Sequence, residues 1–176
     1  FKVIPVEVRI GFHSTLLYVE PDKDYHISIG YENYDSLYRV VNPFLEPLLL
    51  DIDILNSDTL GLNELIYAVD TVVDAFILKN FYGTAHFNDK DLVQKFKEKL
   101  DVLFGNFPNE YFQTYIKYRL TMIGLLSRTA SKKELIISTI MPQRPYYDNP
   151  AYMSFFKELF RGYLLQLDSK VPESDL

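Results

Sequence analysis

Three histidines and one pair of aspartates are the residues whose chemistry could make a site in this sequence. No two of His13, His26 and His86 have the i, i+4 spacing that places two metal ligands on one helix face. Asp51 and Asp53 alternate on a predicted strand about 7 Å apart, a separation that paired-carboxylate enzymes use. Alternating acids on a strand more often form its solvated face, so a hydrolase is the weakest of the hypotheses that stay open.

Other common chemistries lack their residues or their motifs. The sequence has no cysteine, which excludes a thiolate nucleophile, a disulfide and a cysteine-based zinc site. Ser14 lacks the Gly-x-Ser-x-Gly elbow, and the seven glycines form no phosphate-binding loop. We therefore expect this chain to be no enzyme, with no catalytic residue, no metal site and no cofactor.

The segment from residue 141 to 150 has the composition of a binding loop. Four candidate binding residues lie there between prolines: Arg144, Tyr146, Tyr147 and Asp148. Tyrosine offers a large contact area at low entropy cost, so tyrosines on a proline-stiffened loop can stack on a glycan or a peptide. Prolines also end helices, and tyrosines between helices usually cover the edge of a core, so structural packing is the alternative. The same question applies to three tyrosines of an earlier loop, Tyr31, Tyr34 and Tyr38.

Composition narrows the class of protein. With 48% apolar residues, 14 Tyr and 13 Phe, the chain has the aromatic content of an ordered globular protein. The net charge of −6, with Lys and Arg scattered, leaves no basic stripe for nucleic acid. The longest apolar runs, such as 47–50, are far shorter than the roughly 20 residues of a membrane span, so we expect no span.

The secondary structure that must position these residues changes near Asn56. Apolar residues recur every second residue before it, as in a strand, and about every 3.6 residues after it, as in a helix. Before that point the alternation predicts a strand ending at Gly11, a hairpin around the turn at 21–24, and a fourth strand over 48–55. After it the periodicity predicts five helices. The fold class is therefore α+β, with a small antiparallel β module followed by a bundle of about five helices.

Capping residues predict where the helices begin. The predicted caps are Asp58 or Thr59, Asn88 or Asp89, Asn109 after Pro108, Ser131 in a capping box with Glu134, and Asn149 before Pro150. The third helix carries a stripe of tyrosines, which we expect to be core with their hydroxyls in water: Tyr111, Tyr115 and Tyr118.

A family resemblance rests on short motifs that occur in order along most of the chain. They are Leu17–Tyr25, Asn42-Pro43-Phe44, a long helix from Leu62-Asn63, Tyr115–Arg119 and Tyr147–Met153. The set resembles the region that precedes the thioredoxin-like domain in large envelope proteins of certain Gram-negative bacteria. Where that family commonly has glycine in the turn after its Tyr-Val-Glu-Pro strand, this chain has Asp22.

The resemblance implies a β-sandwich before this region and a TlpA-like thiol:disulfide interchange domain after it. We therefore expect a fragment in which residues 1–55 are the truncated end of a sandwich, 56–167 a helical domain, and 168–176 a linker or tail. The Cys-x-x-Cys pair that would carry redox chemistry is absent, so the resemblance supplies no catalytic residue.

The leading functional hypothesis is a noncatalytic accessory or interaction region of an envelope thioredoxin-like protein. Its partner would be the adjacent thioredoxin-like domain or another envelope protein, and the resemblance implies the cell envelope or periplasm as its location. The alternative is a glycan- or peptide-binding module that uses the tyrosine-rich loops.

Overall fold

The architecture is α+β, with strands preceding helices, as the change of period predicts. The computed structural model describes residues 2–30, 47–57, 61–81, 88–161 and 163. The chain forms two compact units, and the boundary between them along the sequence lies between Tyr67 and Ala68. This division lies later than residue 55, so unit 1 includes the start of the first helix. That residues 56–167 fold alone stays a prediction, and the tail at 168–176 lies outside the described residues.

Unit 1 begins with an antiparallel hairpin of two seven-residue strands, β1 (Ile4–Ile10) and β2 (His13–Val19). Ile10 lies opposite His13, which leaves a two-residue turn. Gly11, the first residue of that turn, has a φ of 56°. Glycine at this position is typical of a type II′ turn, whose twist matches that of the flanking strands. The glycine that ends the first predicted strand therefore makes the hairpin turn.

The hairpin predicted around residues 21–24 is wrong. β3 (Ile27–Gly30) pairs antiparallel with β5 (Asp51–Ile54), and β2 instead pairs in parallel with the short strand β4 (Leu48–Leu49). The side chain of Asn56 explains part of this pairing, because its Oδ1 accepts from the His26 amide at 2.8 Å and its Nδ2 donates to a carbonyl at 2.9 Å. These bonds hold the start of β3 beside the end of β5.

Five α-helices follow in the described part of the chain, and one π-helical turn lies among them. The helices are α1 (Leu62–Phe81), α2 (Lys90–Phe104), α3 (Glu110–Leu126), α4 (Lys132–Leu135) and α5 (Pro150–Leu159), and the π segment is Ile136–Ile140. Four predicted caps are confirmed by side-chain bonds to first-turn amides: Asp89, Asn109, Ser131 and Asn149. The alternatives Asp58 and Thr59 lie outside the described residues.

The core of unit 2 is aromatic, and α3 lies at its centre. Tyr118 of α3 and Phe155 of α5 are both fully buried, with their rings stacked at a centroid distance of 6.0 Å. Phe112 of α3 packs edge-on against Phe104 at the end of α2. Burying such a side chain stabilises the fold by about 1.5–3 kcal/mol, so the α3–α5 contact is a major source of stability.

None of the helices in the described ranges is both long and apolar enough to cross a membrane.

Candidate functional site

The predicted binding loop, residues 141–149, joins the π segment to α5 and is held at its front by Gln143. The Gln143 Nε2 donates to the Tyr118 hydroxyl at 2.8 Å and to the Thr139 carbonyl at 2.6 Å. Because Tyr118 is fully buried, this amide ties the loop to the core of unit 2 rather than to another surface group. The loop therefore has a fixed starting point.

The back of the loop is held by the helix cap and by a tyrosine of α3. The Tyr111 hydroxyl donates to the Asp148 carbonyl at 2.8 Å, and the Asn149 amide donates to the Tyr146 carbonyl at 3.0 Å. The side chain of Asn149 is itself buried and accepts from the first turn of α5. With both ends bonded to core elements, the loop is pre-organised for a contact.

Under the loop lies an aromatic cluster formed by Tyr118, Tyr146, Tyr152 and Phe155. Tyr118 meets Tyr152 edge-on at 4.9 Å, and Tyr146 lies 6.0 Å from both. Burial, together with the neighbouring phenols of Tyr146 and Tyr152, raises the pKa of Tyr118 to about 12, although the Gln143 bond acts in the opposite direction. Tyr118 therefore stays neutral at physiological pH and serves as a hydrogen-bonded core residue.

The four candidate residues take three different places. Tyr146, 41% exposed, covers the aromatic cluster, whereas Asp148 is half-buried and contributes its carbonyl to the Tyr111 bond. Tyr147 is 73% exposed, and Arg144 is also exposed. Tyr146 and Asp148 therefore fit the structural-packing interpretation of the loop. Tyr147 and Arg144 face solvent, as the binding interpretation requires.

Tyr147 affects the cluster electrostatically. Burial raises the pKa of Tyr152, and the Tyr147 phenol adds to that rise. Met141, 72% exposed, adds an apolar side chain at the start of the same loop.

The hydroxyls of the α3 tyrosines differ from expectation. The stripe is core at Tyr115 and Tyr118, as predicted, but its three hydroxyls bond to protein groups instead of being left to water. Tyr115 donates to the Asp70 carboxylate at 2.8 Å, while Tyr111 and Tyr118 hold the two ends of the loop. The stripe therefore has a positioning role that its apolar periodicity does not reveal.

An ion-pair network ties α1 to α3 within unit 2. The Arg119 Nε lies 3.0 Å from the Asp70 carboxylate, and its guanidinium also meets Asp74. Burial raises the pKa of Asp70, while Arg119 and the Tyr115 bond oppose that rise. One guanidinium thus meets two carboxylates and links α1 to α3 inside unit 2.

The described histidines and the aspartate pair lie on or beside the strands of unit 1. Asp51 and Asp53 are both exposed on β5, with half-buried isoleucines on the other face, which confirms the solvated-face interpretation. His13 begins β2 and His26 precedes β3, whereas His86 lies outside the described residues. In the described ranges, no three His, Asp or Glu side chains cluster as metal ligands would.

Unit 1 contains a cleft of about 210 Å³. Its polar wall is largely occupied by bonds that hold the strands. Both amide atoms of Asn63 bond to the main chain of Tyr18, at 2.8 and 3.0 Å, and the Tyr25 hydroxyl accepts from the Glu20 amide at 3.0 Å. These groups are engaged within the fold, whereas the Glu64 Oε2, which also lines the cleft, is buried without a hydrogen-bond partner in the described part of the structure.

Sequence reasoning missed Gln143 and Tyr152 as members of the site. Gln143 directly follows Pro142, the first proline of the loop, and carries no local signal for a bond to α3. Tyr152 follows a capped Asn-Pro helix start, and its apolar spacing with Phe155 could have indicated a buried ring at the base of the loop.

Comparison with known proteins gives no relative from which a role could be transferred. No family model matches the chain, and no curated protein or solved structure is significantly similar to it. The functional argument therefore depends on the loop and on the contacts that hold it.

Proposed function

We propose that this chain is a noncatalytic interaction region and that the contact surface is the loop 141–148, with Tyr147 at its centre. The observation that carries the proposal is a tyrosine exposed to 73% on a loop whose two ends are hydrogen-bonded to the core. Because the two ends of the loop are already held, ordering its backbone on binding costs little, so more of the burial energy of the ring remains as affinity.

The residues exposed on the loop favour a protein as the partner over a glycan. Tyr, Arg and Met are the residue types enriched at protein interfaces, and Tyr147, Arg144 and Met141 supply one of each. Glycan sites need several free polar groups, but the Gln143 amide and the Asp148 carbonyl are bonded to α3 and the π segment. By the family resemblance, the partner is an adjacent thioredoxin-like domain or another envelope protein.

The test compares hydrogen exchange at residues 141–148 in this chain and in the longer protein that the resemblance implies. Docking should slow exchange in the loop of the longer protein. Tyr147→Ala should remove that protection, while Tyr146→Ala should also loosen the aromatic cluster. Tyr67→Ala is the matched control, because Tyr67 is equally exposed at 73% but lies on α1 in unit 1.

The outcomes separate the hypotheses. Equal exchange in both proteins would refute docking through this loop. If Tyr147→Ala then abolished binding to a glycan or peptide array, the binding-module alternative would replace the proposal. If the array signal were also unchanged, the loop would serve only to connect the π segment to α5.

A further inference from the structure

β1 is an edge strand in the described part of unit 1, where the sheet order is β1-β2-β4. The bonds made by β2 show which way its backbone groups point. The Ser14 carbonyl accepts from the Leu50 amide at 3.0 Å, and the Tyr18 amide and carbonyl both bond to the side chain of Asn63. The backbone groups of Ser14 and Tyr18 therefore point away from β1.

The direction of the β2 backbone groups determines which residues of β1 point their own backbone groups outward. Arg9 lies opposite Ser14, and Pro5 lies opposite Tyr18. In an antiparallel ladder, residues of a non-hydrogen-bonded pair direct their amides and carbonyls away from each other. Arg9, Pro5 and the intervening Glu7 therefore aim their backbone groups outward, where Glu7 and Arg9 each offer one amide and one carbonyl.

Side-chain charge makes this edge self-complementary in one register. Glu7 and Arg9 have opposite charge and share one face of β1, where their side chains meet at 3.2 Å. If two β1 strands pair antiparallel about Val8, each Glu7 lies opposite the other copy's Arg9. Shifting the strands by one pairing step in either direction instead sets Glu7 against Glu7 or Arg9 against Arg9, and directly opposed like charges destabilise a ladder.

We propose that this edge is a self-association surface, through which two copies of the chain pair their β1 strands antiparallel about Val8. The pair makes four backbone hydrogen bonds between Glu7 and Arg9 of the two copies. On the other face, the half-exposed Val6 gains Ile10 of the second copy as its neighbour. This surface belongs to unit 1, whereas the loop at 141–148 belongs to unit 2.

Two features of β1 that commonly protect edges are compatible with this register. Proline and charged residues usually discourage edge pairing. In this register Pro5 lies opposite Gly11 of the second copy, in the hairpin turn where pairing ends, so its missing amide is not needed. The opposite charges exclude the two shifted registers and favour the central one. One strand pair is a small interface, so we expect a weak, reversible dimer.

Sedimentation velocity of the full chain, from micromolar to millimolar concentration, tests the proposal. The wild-type chain should form a concentration-dependent dimer. Glu7→Arg and Arg9→Glu should each weaken it about tenfold or more, because both cross-strand pairs become repulsive. Mixing the two variants should restore association, as should the double exchange Glu7→Arg/Arg9→Glu, which is self-complementary only when pairing is centred on Val8.

Glu98→Arg is the matched control, since it makes the same charge change at an exposed position on α2 in unit 2 and should leave the dimer intact. Urea unfolding of each variant confirms that the hairpin remains folded. A wild-type chain that stays monomeric throughout would overturn the proposal. So would a dimer that the single variants do not weaken, or one that the double exchange fails to restore.

Discussion

Asn149→Ala removes the side chain that begins α5 and closes the candidate loop. Asn149 is 2% exposed, and its Oδ1 accepts from the Tyr152 amide at 3.1 Å. Its backbone is extended, with φ −114° and ψ 107°, as an N-cap requires, and Pro150 follows with no amide to satisfy. The side chain therefore supplies an acceptor that the buried first turn of α5 cannot obtain from water.

The expected cost combines three effects. Losing an N-cap acceptor destabilises a protein by about 1 kcal/mol, and the small void left by the amide adds a few tenths. Against this, the Asn149 Nδ2 is buried without a hydrogen-bond partner in the described part of the structure, a penalty that alanine removes. We therefore expect a net loss in the lower half of the range for N-cap removal, about 0.5–1 kcal/mol. Asn149→Ser, which keeps an acceptor and has no amide donor, should lose less.

Urea unfolding followed by far-UV circular dichroism gives the free energies of unfolding of Asn149→Ala and Asn149→Ser, and the m-value should not change. A loss of 1 kcal/mol corresponds to a fall in Tm of about 2–4 °C for a chain of this size. Asn106→Ala, at an exposed turn position after α2, is the matched control and should be close to neutral. The capping argument fails if Asn149→Ala is as stable as wild type, or if serine costs as much as alanine.

Three further changes test other contacts. Asp22 has a φ of 59°, so Asp22→Val should be about 1–2 kcal/mol less stable than Asp22→Gly in thermal unfolding, and equal stability would contradict a left-handed turn. Asn63→Ala should cost about 1–3 kcal/mol in urea unfolding, since it unpairs the amide and carbonyl of Tyr18, and a neutral result would remove this link. The pKa of Tyr118 is about 12 in the folded chain against an ordinary 10.0. The neutral phenol therefore contributes its full share of the folding stability below pH 10, and this share falls as the pH rises to 12. Tyr118→Phe should lose about 1 kcal/mol at pH 7 with the Gln143 bond, yet show a shallower decline in stability at alkaline pH.

The α+β class and the beginnings of the helices could be predicted from the sequence because their causes are local. A cap such as Asp89 or Asn109 bonds to an amide three residues later, and the apolar period of a helix repeats within a few turns. The Ser131 capping box likewise lies within one turn. The sequence did not indicate that α4 continues as a π segment over Ile136–Ile140.

Strand pairing was not predictable in the same way. Alternation identifies residues 25–29 and 48–55 as strands, but not that the second divides into β4 and β5, nor that β5 pairs with β3. Side chains distant in sequence contribute to the pairing, as where Asn56 bonds to the His26 amide beside the β3–β5 pair. Short-range reasoning predicts a hairpin between strands that are neighbours in sequence. In the structure, β2 and β3 instead pair with β4 and β5, which lie further along the chain.

The sequence by itself determined that residues 141–150 form a loop rich in tyrosine. Pro142 stops the preceding helical segment, and Pro150 begins α5. Only the tertiary structure decided which tyrosine is exposed. Tyr146 and Tyr147 are adjacent and chemically identical, yet Tyr146 covers the cluster around Tyr118 while Tyr147 faces solvent. The physical reason is that burial is a property of what packs against a residue, and the rings of α3 and α5 that meet Tyr146 are brought there only by the fold.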